Sequence, residues 1–199
     1  MTIDAPERRQ HERSTVGTLV LLNGPPASGK STLAARYVRD HPLALNLDVD
    51  VIRGLLGRWI GRPLDAGLAA RRLALSMAAS HSGDGRDVIV PQFLARPEFI
   101  EQLEALAASI GCRFVEAALI TTRHDAIDWF HERSASPDNQ QHVDASTLVA
   151  ASTAEDPVGD MYDAFRRLLD SRPRTLLVPV VRGDIDATYR AFDDALSST

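Results

Sequence analysis

Cysteine is almost missing from the sequence, with Cys112 the only one among 199 residues. A single thiol cannot close an intramolecular disulfide, so the expected setting is a reducing cytoplasm, and Cys112 itself reads as a small interior hydrophobe. No apolar run approaches the about 20 residues that cross a bilayer, which removes the membrane as an expected partner. An excess of positive charge is missing too. The formal net charge is −5 and the isoelectric point about 5.6, which gives no global attraction to duplex nucleic acid. His124, His131 and His142 form no metal-ligand spacing with the lone cysteine, so zinc is not expected. Residues 1–16 are polar, with Arg8, Arg9 and Arg13 and no apolar core of a signal peptide, and are expected to form a flexible tail before a single domain over 17–199.

What the chain does have is concentrated between Thr18 and Thr32. There Gly24-x-x-x-x-Gly29-Lys30-Ser31 follows the strand-forming run Leu19-Val20-Leu21-Leu22 and precedes apolar residues at helical spacing, Leu33, Ala34, Tyr37 and Val38. Strand, glycine-rich loop and helix in that order make a phosphate site. A loop that opens a helix turns backbone N–H groups and the positive end of the helix dipole toward an anion. Gly24 and Gly29 are expected to let the backbone approach closely. Pro25 and Pro26 donate no N–H, so Ala27, Ser28, Gly29, Lys30, Ser31 and Thr32 must form the cradle. Lys30 is placed to meet the β- and γ-phosphates of a triphosphate, and the Ser31 hydroxyl is a ligand candidate for Mg2+.

Strand and helix patterns alternate along the rest of the chain. Short strands are expected at 43–47, 87–90, 113–121 and 175–181, with helices over 51–56, 64–80, 98–110, 125–132, 145–151, 158–169 and 185–196. Pro179 within the last strand predicts an edge position or a bulge. The alternation implies an α/β domain with a mainly parallel five-stranded sheet covered on both faces. Residues 133–144, R-S-A-S-P-D-N-Q-Q-H-V-D, show no apolar period, and a lid is expected over about 133–145.

Two further constellations carry chemistry. Asp48-Val49-Asp50-Val51-Ile52-Arg53 follows the second strand, where an open α/β sheet binds its ligands. Asp50 can take the proton of an attacking hydroxyl, and Arg53, one helical turn on, can bind the acceptor. Asp48 competes as base, as an Mg2+ carboxylate, or as a helix cap with Asp50 merely in the first turn. After the third strand, where many nucleotide-hydrolysing proteins carry an acid, stand Pro91-Gln92-Phe93-Leu94. Their apolar character points to an acceptor with a hydrophobic surface. Phe93, Arg96 and Trp59 are the expected specificity residues, and Arg133, opening the lid, is either a finger on the transferred phosphoryl group or a surface residue.

With these motifs the chain resembles the small P-loop kinases that include polynucleotide 5′-kinases, zeta toxins and chloramphenicol phosphotransferases. The likeness rests on Asn23 to Thr32, on Asp48 to Arg53, and on Arg133 before the lid. It implies a three-layer P-loop kinase fold with a helical lid, Asp50 as general base, Arg53 on the acceptor, Arg133 as the lid arginine, and Arg182-Gly183-Asp184 as the loop near adenine. The polynucleotide kinases usually carry two lid arginines four residues apart, whereas Trp129 stands at the other position here. The expected activity is transfer of the ATP γ-phosphate to a hydroxyl of a small molecule such as a nucleoside or an antibiotic natural product. The alternatives are a polynucleotide or sugar-nucleotide kinase, and a nucleotide-dependent binding switch.

Overall fold

The computed structural model describes residues 17–198, so the tail expected over 1–16 lies outside the described residues. Five strands form one sheet: β1 (Thr18–Asn23), β2 (Leu45–Asn46), β3 (Val88–Pro91), β4 (Arg113–Ile120) and β5 (Leu176–Pro179), in the order β2-β3-β1-β4-β5. Every pairing is parallel. The central strand β1 is buried along its whole length, which explains why it reads as unbroken Leu and Val rather than as an alternation. β5 is an edge strand, and Pro179 sits at its end, where a missing N–H costs no ladder bond.

Alternate residues of the sheet enter two cores. Leu19, Leu21, Val88 and Val90 face α3 (Pro63–Ser82), α4 (Glu98–Ile110) and α7 (Pro157–Asp170), while Val20, Leu22, Ile89 and Leu119 face α1 (Lys30–Asp40) and α8 (Ile185–Ser197). The α3 face that enters the core is Ala66, Ala70, Ala74 and Ala78, four small residues one turn apart that let the helix lie close. The result is the three-layer α/β domain that the alternation implied. Its ligand-bearing edge is the carboxyl end of the strands, where α2 (Val49–Gly54), α5 (Arg123–Ala135) and α6 (Gln140–Ala150) gather.

Several boundaries differ from the sequence expectations. The segment around the expected lid is mostly helical: α5 continues through Arg133 to Ala135, and α6 starts at Gln140. The segment shows no apolar period because α5 and α6 bury only narrow stripes, Ala126, Trp129 and Phe130 in one and Asp144 in the other. α2 begins at Val49, since Asp48 caps it by accepting from the N–H groups of Asp50 and Val51. The second strand shrinks to Leu45–Asn46, because Leu43 takes a left-handed conformation with φ 64°.

Candidate functional site

The phosphate loop is bounded by two glycines with different reasons to be glycine. At Gly24, φ is 154°, and a Cβ would stand 2.8 Å from Ser28 Oγ and 3.0 Å from Leu119 Cβ. At Gly29 the space is open, but φ is 91°, a conformation that side chains disfavour. Packing against Ser28 and Leu119 therefore calls for glycine at Gly24, whereas Gly29 is set by its dihedral angle. Ala27 also has positive φ, 64°, which curls the loop so that Ser28 N–H donates to the Pro25 carbonyl at 3.3 Å. Helix α1 starts at Lys30 without a capping side chain and without an acid in its first turn. Its leading N–H groups are thereby left for an anion.

Asn23, which opens the loop motif but has no role assigned to it from the sequence, fixes the loop to the segment after β3. Its Oδ1 accepts from Gly24 N–H at 2.8 Å and from Leu94 N–H at 2.9 Å, and its Nδ2 donates to the Leu94 carbonyl at 3.0 Å. A fully buried amide placed at the end of a strand, directly before the first glycine of the loop, was the signal available. Gln92 lies on the same edge, its backbone N–H on the Leu22 carbonyl at 3.1 Å and its side-chain Oε1 buried without a partner.

Lys30 Nζ donates to the carbonyls of Gly24 at 2.9 Å and Pro25 at 2.8 Å. Burial, and then the nearby Arg133 guanidinium, bring its pKa down to about 7 against the pull of Asp50 and Asp48. Arg133 is also depressed by burial, with Asp50 opposing, and its Nε has no partner. On the other side, Asp50 pairs with Arg53 at 2.8 Å, and the Arg53 guanidinium lies 4.5 Å from the centre of the Trp59 ring. Asp48 commits Oδ1 to capping α2, at 2.9 Å from Asp50 N and 3.4 Å from Val51 N. Burial, followed by the charge of Asp50, pushes the Asp48 carboxyl up.

Two cavities meet over these groups. One, of about 530 Å³, is lined by the loop from Ala27 to Thr32 together with Trp129, Glu132, Arg182 and Gly183. Arg182 pairs with Glu132 and stacks over Trp129, 5.5 Å from the ring centre. The other, of about 660 Å³, takes in Asp48, Asp50, Arg53, Gln92 and Phe93 and extends to Leu148, Val149 and Met161 on α6 and α7. Lys30, Ser31, Arg133 and His142 line both. Burial, then Arg133, lowers the His142 pKa.

Most of the expected site residues thus come together, and two do not. Arg96 is exposed and absent from the lining of either cavity, because α4 starts just beyond it and turns the chain away. Trp59 lies beneath Arg53 instead of on a cavity wall. The wall formed by α6 and α7 went unread, since Leu148, Val149 and Met161 carry no motif.

For Mg2+, no group of three or more His, Cys, Asp or Glu side chains is arranged to hold a metal among the described residues. Ser31, which lines both cavities, and Asp48, on the wall of the larger one with one oxygen free of the cap, suit an ion that keeps waters and takes oxygens from a triphosphate.

The fold and this loop define a P-loop kinase fold of the nucleotide-binding type. The sequence matches the family described as AAA domain over residues 19–155, and the chain belongs to that family. No curated protein matches the sequence. Among solved structures, the chain is similar to the tunicamycin resistance protein of Deinococcus radiodurans (16% identity, TM-score 0.57, covering 92% of this chain and 95% of that one). It is also similar to the APS kinase of Mycobacterium tuberculosis in complex with AMPPNP and APS (19%, TM-score 0.56, 91% and 98%). A gluconokinase from Sinorhizobium meliloti aligns as well (16%, TM-score 0.53, 92% and 93%). No helix among the described residues is long and apolar enough to cross a membrane.

Proposed function

We propose that the protein is an ATP-dependent phosphotransferase that moves the γ-phosphate of ATP to a hydroxyl of a small molecule of the nucleoside or natural-product kind. The observation that carries this reading is the meeting of two cavities at Lys30, Ser31 and Arg133. A donor and an acceptor can each fill one and touch at that junction. The kinase fold of the relatives, and the AMPPNP held by one of them, support a nucleotide in the loop-side cavity.

ATP lies with its phosphates on the amides of Ala27 to Thr32 and its base near Trp129 and Arg182. Ser31 and Asp48 are the residues that would hold Mg2+, which would neutralise phosphate charge. Lys30 leaves the Gly24 and Pro25 carbonyls for the phosphate oxygens, and Arg133 meets the charge that develops on the transferred group. Asp50 accepts the proton of the attacking hydroxyl, while its partner Arg53 orients that carboxylate and the acceptor. Asp48 suits the base role less, because its buried carboxylate already serves two N–H groups. The acceptor cavity, with its apolar wall, also favours a small molecule over a polynucleotide. Within the likeness to the small P-loop kinases named above, the chain would stand with those acting on small molecules.

The test is incubation of the full chain with labelled ATP, Mg2+ and a panel of nucleosides and hydroxylated antibiotics. Label appearing on one acceptor in wild type and lost in Asp50→Asn supports the reading. Bound ATP that never turns over in the presence of any acceptor or of cell extract would instead mark a binding switch.

A further inference from the structure

We infer that the acceptor carries no anionic group and bears an apolar segment that lies between α6 and α7 while its hydroxyl reaches Asp50. This rests on the phosphotransferase reading and narrows its substrate class.

The argument begins with charge. The charged lining of the larger cavity is Lys30, Arg53 and Arg133 against Asp48, Asp50 and Asp160, three cations and three carboxylates. Lys30 and Arg133 also line the loop-side cavity, so the donor phosphates claim both. Arg53 remains, and its reachable charge is engaged: one guanidinium nitrogen pairs with Asp50 at 2.8 Å and its face lies on Trp59, while its Nε, buried without a hydrogen-bond partner, is closed off from the cavity. An anionic group brought there would stand beside the Asp50 carboxylate and compete with it for the same cation. Among the described residues no further Lys or Arg lines the cavity: Arg96 is off the wall and Arg71 lies over the Phe99 ring at 5.4 Å. His142 does not replace them, because burial and Arg133 hold it toward the neutral form.

The far wall supplies the second half. Phe130 of α5, Leu148 and Val149 of α6 and Met161 of α7 face the cavity, joined by Val51 of α2, which is 45% exposed. The one charge on that side is the carboxylate of Asp160, which repels anions. A cavity of about 660 Å³ is in the range that encloses a drug-sized ligand, far more than a hydroxyl and its immediate ring require. Water left against those side chains is released when an apolar segment covers them.

The test is equilibrium binding to the full chain saturated with AMPPNP and Mg2+, by calorimetry, with three probes. These are octyl β-glucoside below its micellar concentration, octyl β-glucuronide, which differs by one carboxylate, and glucose, which lacks the tail. The expected result is that octyl glucoside binds at least about tenfold more tightly than either of the other two. Met161→Lys should shift the preference toward the glucuronide, and Leu148→Asp should weaken octyl glucoside by about tenfold, with AMPPNP affinity unchanged in both as proof of folding. Glucuronide binding as tight as or tighter than glucoside, or no gain from the tail, overturns the inference, and so does no measurable binding of any probe. Failure of the phosphotransferase reading looks different: the binding order holds, yet no hydroxylated acceptor takes phosphate from ATP.

Discussion

Lys30 Nζ lies 2.9 Å from the Gly24 carbonyl oxygen, so the charge we propose for a phosphate is folded back onto the loop that presents it. Burial and Arg133 leave it with a pKa of about 7, well under its ordinary 10.5. A triphosphate on the loop raises that value again, because an opposite charge favours the ammonium.

Binding of MgATP at pH 8 should therefore take up close to one proton. Calorimetry in buffers of different ionisation enthalpy gives that number as a slope, and Lys30→Met should abolish it. Without ligand the sign for stability follows from the same shift. Between about 7 and 10.5 the unfolded chain holds a proton on Lys30 that the folded one has lost, so this group makes stability rise with pH across the window. A slope of zero protons at pH 8 means that Lys30 is already charged in the free protein.

Asp48 and Asp50 are two residues apart and should fail in different ways. Asp50→Asn should lower phosphoryl transfer by about 10²- to 10⁴-fold with little change in ATP affinity. Asp48→Ala removes the cap of α2 and should cost about 1 kcal/mol of stability, visible as a lower midpoint in thermal or urea unfolding. If Asp48→Ala abolishes transfer while Asp50→Asn leaves it intact, the base is Asp48.

The glycine-bounded loop, the parallel five-stranded sheet implied by alternation, and the Asp48 to Arg53 turn were all legible in the sequence, because each depends on local chemistry: dihedral freedom, apolar period, a cap; the strand order was not. The acceptor wall was not. Leu148, Val149 and Met161 become a surface only when α6 and α7 pack beside α5, and nothing at those positions distinguishes a cavity residue from a core residue. Asn23 was visible only as part of the loop motif and Trp59 only as an expected specificity residue, because what each does depends on a partner that the fold supplies: Leu94 for Asn23, Arg53 for Trp59.

The two loop glycines should respond unequally to alanine. Gly24→Ala places a Cβ 3.0 Å from Leu119 Cβ and 2.8 Å from Ser28 Oγ in addition to its φ of 154°. Gly29→Ala meets only the dihedral cost of about 1–2 kcal/mol, with nothing within 4 Å. Thermal unfolding of the ligand-free variants should rank Gly24→Ala as the less stable. The reverse order would mean that α1 can shift to accommodate Gly24→Ala while the turn at Gly29 cannot yield.

Arg133 faces both cavities and is the second cause of the low Lys30 pKa. Arg133→Ala removes a positive charge from beside Lys30, so the Lys30 pKa should rise. Proton uptake on binding MgATP should then shrink at pH 8 and reappear at higher pH. The same variant should lose phosphoryl transfer by about 10³-fold or more if the guanidinium meets the developing charge, with a smaller effect on ATP affinity. Arg133→Lys keeps the charge and discards the planar fork. It should preserve the proton-uptake profile without restoring the rate, which separates an electrostatic influence on Lys30 from a geometric role on the phosphoryl group. A full rate in Arg133→Ala would leave the residue as a surface cation of α5 and transfer the whole burden of charge stabilisation to Lys30 and the loop amides.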